Sequence, residues 1–138
     1  MNIEQLAAYI DADLGGLMTA LNNQADTTID NTRIIRAYAI DRIMADELFS
    51  DNYTLGFFKA AFIVNNSPVP LAVVTACRKH GAFEALGEIM NKMMDARAKI
   101  AFARAYAKVD GYGHHFNLWD GSCEELCYNG QHFYVFKG

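Results

Sequence analysis

Residues 111–136 read GYGHHFNLWDGSCEELCYNGQHFYVF, and how this stretch folds decides what kind of domain the chain makes. It holds three of the four histidines, two of the three cysteines and the only tryptophan. Two dipeptides in it, Asp120-Gly121 and Asn129-Gly130, are strong signals for two-residue hairpin turns, whose central residues take positive φ. Around them lie HHFNLW, SCEELCY and QHFYVF, each of strand length. The spacing predicts a three-stranded antiparallel meander in which Trp119 pairs with Ser122 and Tyr128 with Gln131. Counting outward places His114 opposite Cys127 and Cys127 opposite His132, in one row on one face.

That row names a candidate metal site. His114, Cys127 and His132 are zinc-ligand types, and a fourth ligand could come from His115, an acidic residue or water. Cys123 lies four strand positions from Cys127, about 13 Å away, and falls outside the row. The spacing matches no established zinc motif, in which ligands come paired from a tight knuckle or a helix turn. Cys127 with a histidine base meets the minimal needs of a nucleophile, but a flat sheet offers no helix N-terminus to lower its thiol pKa. Glu124 and Glu125 are adjacent on a strand and point to opposite faces, so they are no acid–base pair. Gly111-Tyr112-Gly113 follows a helical stretch and is too short for a phosphate-binding fingerprint.

The aromatics of the tail are the stronger functional signal. Alternation groups Trp119, Tyr128 and Phe133 on one face, and only one face of such a sheet can pack on the rest of the domain. Exposed aromatic surface marks a partner site. A second candidate surface is the basic edge formed by Arg97, Arg104 and Lys108, which could meet an acidic protein or phosphates.

Upstream the pattern is helical. Apolar residues between Ile3 and Leu21 recur at helix spacing, with Gly15-Gly16 predicting a kink or break. NNQADTT reads as a polar connection. A helix is expected from Asp30 or Thr32 through RIIRAYAIDRIMADELF, apolar over more than half its circumference, which predicts self-association into a homo-oligomer. LGFFKAAFIV begins a further helix that NNSPVP ends, since proline cannot continue it. LAVVTACRK fits a buried strand or a short helix, and its helical neighbours favour the helix. One long helix is expected over residues 82–109. The fold class that follows is α+β, a single domain over 1–138. A bundle of four to five helices occupies about 1–109, and the β-meander about 112–137.

Bulk properties bound the function. A chain of 138 residues, 52% hydrophobic with two prolines and 20% charged residues, can bury one core and is not disordered. The net charge of −4 supplies no field for nucleic acid, so DNA or RNA binding would need a local basic patch. Three cysteines, an odd number, fit a reducing compartment better than a disulfide framework. No signal-peptide pattern opens the chain, and its longest apolar runs fall short of the roughly 20 residues of a membrane helix. A soluble cytoplasmic protein without membrane contact is expected.

The segment DGYGHHFNLWDGSCEELCYNGQHFYVFKG resembles the C-terminal ending of small proteins carried by bacteriophages, prophages and plasmids. There a DGYGH start, an aromatic followed by a DG turn, acidic residues and a closing Tyr/Phe-rich strand recur. The resemblance covers about residues 110–137, rests on Asp110–His114 and Trp119–Gly121, and departs from the pattern in the two cysteines and the final FKG. It brings no activity with it. What it implies is a mobile-element setting, in which small acidic proteins bind and block host proteins. The expected function is therefore a non-enzymatic accessory protein that binds a host or phage protein, such as an inhibitor of a host defence system. A small zinc- or thiol-dependent protein and a nucleic-acid-binding accessory are the alternatives.

Overall fold

A computed structural model describes residues 1–117 and 119–137. In chain order the elements are α1 (Ile3–Tyr9), α2 (Leu14–Asn23), β1 (Asp26–Ile29), β2 (Thr32–Arg36), α3 (Ile40–Leu48), α4 (Asn52–Gly56), α5 (Ala60–Asn66), α6 (Leu71–Lys79), α7 (Phe83–Met93), α8 (Ala96–Asp110), α9 (Tyr112–Phe116), β3 (Glu124–Tyr128) and β4 (Gln131–Phe136). The α+β class is as expected, but the sheet has four strands, not three, in the order β1-β2-β4-β3. None of the described helices is long and apolar enough to cross a membrane. The elements form two compact units, Met1–Ile40 with Asp110–Gly138, and Asp41–Val109.

In the first unit all strand pairs are antiparallel, and β2 meets β4 with Arg33 opposite Phe136 and Arg36 opposite Phe133. The expected helix from residue 30 is thus a strand in its first half. Asp30 and Asn31 take φ of 50° and 63°, closing a two-residue turn between Ile29 and Thr32. Such a turn matches the right-handed twist of its strands. Both Ile34 and Ile35 are buried although they point to opposite faces, so β2 is apolar on both sides and mimics a buried helix in sequence. The apolar circumference that suggested self-association is therefore divided between a central strand and α3.

One sheet face, carrying Ile34, Leu126, Phe133 and Val135, packs on Ile3, Leu6 and Ile10 of the first helical stretch and on Leu17 and Leu21 of α2. The break between these helices falls at Ile10–Asp13, before the two glycines, with Asp11 at φ 51° and Asp13 capping α2 through the Gly16 amide. Arg36 donates to the carbonyls of Leu21 and Asn22, 2.6 and 2.9 Å, and so ties the end of α2 to the sheet. The other face receives α9, whose Tyr112 and Phe116 pack at a tilt against Tyr134 and Phe136 with ring centroids 5.2 and 5.0 Å apart.

The second unit is helical. Phe102 of α8, fully buried, meets Phe49, Phe58 and Phe62 at centroid distances of 5.3, 5.3 and 5.0 Å, all edge to face. The long helix expected over 82–109 is two, α7 and α8. Met94 is extended there, and Asp95 restarts the helix by accepting from the Ala98 amide at 2.8 Å. Helices α4 and α7 come into backbone contact at two glycines. A Cβ on Gly87 would lie 1.9 Å from the Asn52 carbonyl oxygen, and one on Gly56 1.9 Å from that of Phe83. Asn91 seals the crossing by donating to Phe49 O and Asn52 Oδ1.

Because the obstructing atoms are backbone, Gly87→Ala cannot be absorbed by a rotamer change. It is expected to cost roughly 3 kcal/mol or more, the upper end for overpacking, seen as a lowered urea midpoint. Gly81→Ala, facing open space at a left-handed φ, should cost only about 1 kcal/mol.

Candidate functional site

Helix α9 and the loop after it replace the first expected strand, so Trp119 does not pair with Ser122. Leu118, inside that expected strand, lies outside the described residues. Two physical causes produce the change. Tyr112 and Phe116 are spaced i, i+4 and lay one aromatic stripe on the sheet. The amide groups that a strand would have paired are taken instead by one side chain, that of Asn117.

Asn117 is 3% exposed and nearly saturated with hydrogen bonds. Its Oδ1 accepts from the amides of Trp119 and Asp120, at 3.0 and 3.1 Å, and its Nδ2 donates to Ser122 O at 2.9 Å. Asp120 accepts from the Ser122 amide at 2.9 Å. That bond, with one from the Ser122 hydroxyl, holds its carboxyl below the ordinary value of 3.8. Gly113 lets α9 sit on this loop, since a Cβ there would lie 1.9 Å from the Gly121 carbonyl oxygen. A buried amide and a close backbone contact thus hold a short loop, and on it stands Trp119, 72% exposed.

The other aromatics expected beside Trp119 lie elsewhere. Phe133 is 1% exposed in the core, and Tyr128 packs against that core, half-buried. With Trp119 moved to a loop, alternation no longer joins the three. Phe133 is part of the packed core, not of the exposed surface on which it was expected. Arg97, Arg104 and Lys108 are all exposed on α8, and Arg104 is spent in part on Asp41, 3.0 Å away.

The row of three ligands is likewise divided. Cys127 does face His132, and Tyr128 faces Gln131, in the register expected from the Asn129-Gly130 turn. His114, however, sits on α9 and is not on a strand opposite Cys127. The third group that the sheet brings near is Glu125, with Oε1 3.8 Å from His132 Nε2. Among the described residues, no three His, Cys, Asp or Glu side chains cluster closely enough to hold a metal ion. Cys123 has exposed surface, yet partial burial of its sulfur pushes the thiol up to about 11, with Glu125 and Glu124 acting the same way. It stays protonated at neutral pH and is a poor nucleophile.

A second exposed aromatic group, not anticipated from the sequence, belongs to the helical unit. Tyr53 and Phe57, spaced i, i+4 on α4 and just beyond it, are 55% and 48% exposed. Phe57 stacks on Phe83 at 3.9 Å and 9°, and Tyr53 lies 4.8 Å from Phe57. The i, i+4 aromatic spacing was the available signal.

Asn117→Ala should leave the buried acceptor and donors of the loop unpaired. A loss of about 1–3 kcal/mol is expected, together with a fall in Trp119 fluorescence anisotropy as the loop loosens. A carboxyl with a depressed value contributes its stabilisation above its ordinary value and loses it as pH falls through the lower one. Anisotropy should therefore hold from neutrality down to about pH 4 and drop below it, and Asp120→Ala should show the lowered anisotropy already at neutrality and lose the acid transition. Compared with protein-family models, curated protein sequences and solved structures, the chain gives no significant match.

Proposed function

We propose that this chain is a non-enzymatic accessory protein that binds another protein through the Trp119 loop. The observation that carries this reading is a largely exposed tryptophan on a loop held by the buried Asn117. Tryptophan is the residue type most enriched at binding hot spots, and a pre-ordered loop loses little entropy when a partner closes over it. The indole has most of its surface in water, whereas Phe116, Phe133 and Phe136 of the same segment are buried. The resemblance of residues 110–137 to phage, prophage and plasmid proteins supports a mobile-element setting with a host protein as partner, for instance a component of a defence system. Sequence resemblance is strongest at Asp110–His114 and Trp119–Gly121, the two segments that the Gly113–Gly121 approach brings together.

Incorporating the aromatic photo-crosslinker p-benzoylphenylalanine at position 119, which keeps a ring there, should trap one discrete partner in the native host. Trp119→Ala should abolish co-purification of that partner, with the melting temperature within about 2 °C of wild type, as for a surface change. Phe133→Ala is the contrasting variant and should cost about 3–5 kcal/mol of stability, as for a buried ring. Unchanged partner capture by Trp119→Ala would refute the proposal.

A further inference from the structure

We infer that the partner segment received by the Trp119 loop is cationic, a Lys- or Arg-bearing stretch of protein; this rests on the proposed function and adds the chemistry of the ligand. Charge is distributed unevenly along the chain. The unit formed by Met1–Ile40 and Asp110–Gly138 carries nine carboxylate side chains against three Lys and Arg, a balance of −6, whereas Asp41–Val109 carries seven against nine, a balance of +2. All three cations of the acidic unit are engaged internally. Arg33 holds Asp26 with two bonds, at 2.9 and 2.6 Å. Arg36 serves the carbonyls at the end of α2. Lys137 holds Glu124 at 2.7 Å and lies 4.6 Å over the Tyr9 ring.

The charge left at the surface of this unit is therefore negative on balance; Lys137 acts on Asp120 as well as on Glu124, and the carboxylates nearest the indole in sequence both follow it. Asp120 follows Trp119 directly and is exposed, and Glu125 is exposed on β3. An exposed indole on a unit of net negative charge, with a carboxylate next to it in sequence, is complementary to one kind of group above others. An ammonium or guanidinium gains from the ring quadrupole and from the carboxylates together. A nucleic-acid backbone or an acidic peptide is repelled by the same field, and an uncharged segment gains nothing from it.

The test uses fluorescein-labelled octalysine, octaserine and octaglutamate, with binding read by anisotropy on the intact protein. Octalysine should bind and the other two should not, and Trp119→Ala should weaken octalysine roughly tenfold while Trp119→Phe stays within about threefold, as the ring order for cations requires. Glu125→Gln should weaken it further, and added salt should do so in wild type. The inference is overturned if octalysine fails to bind, if octaserine binds equally well, or if Trp119→Ala leaves octalysine affinity unchanged, since binding would then be diffuse attraction to the whole unit. Crosslinking at position 119 separates the two ideas. A trapped partner with no octalysine binding removes the cationic partner and keeps the protein-binding site, whereas failure of both removes both.

Discussion

The pairing of β2 with β4 is the constraint on which the first unit depends. It joins two segments separated by the whole of Asp41–Val109, and it is the only link between the β1–β2 hairpin and the β3–β4 hairpin within the described sheet. Its register puts Ile34 beside Val135, on the face that α1 and α2 cover, and Ile35 beside Tyr134, on the face that α9 approaches. A slip of one residue would exchange these sets between faces. Phe116 could then no longer lie on Phe136, and the base of the Trp119 loop would lose the surface that supports α9.

Much of the second hairpin was legible because its turn chemistry is unambiguous. Asn129-Gly130 has a single good solution, and from it follow Tyr128 opposite Gln131 and Cys127 opposite His132. Helix α6 and the end of α5 before Pro68 were also readable, since local spacing and a backbone restriction decide them. Asp120-Gly121 carried the same turn signal and misled. Only Gly121 takes positive φ among its two central residues, and the buried Asn117 side chain satisfies the amides that a strand partner would have taken. A local side-chain-to-backbone network, fixed by the burial of Asn117, overrode the turn preference there. Strand β2 was lost for a different reason: a central strand buried on both faces has no alternation, and RIIRAYAI runs straight into α3.

Of the candidate site, Trp119 was visible as an aromatic beside a turn. Its separation from Phe133 was not, because that depended on the failed first strand. The supporting residues, Asn117 and Gly113, have no signature of their own in one sequence. Their importance arises from contacts across the loop. The same holds for Gly56 and Gly87, ordinary helical glycines until the α4–α7 crossing is seen.

The topology also orders events in time. Asp41–Val109 is one uninterrupted stretch lying between the two halves of the other unit, so during synthesis from the N-terminus it leaves the ribosome whole before β4 exists. Helices α1 and α2 are already made and can cover the Ile34 face, but Ile35 and the β2 edge that takes β4 stay open through that interval, and a two-stranded ribbon is marginal in water. The helical unit, rich in local contacts, is free to collapse first. A chaperone that engages the nascent chain would find its apolar target in residues 26–36, and the window closes once β4 pairs with β2.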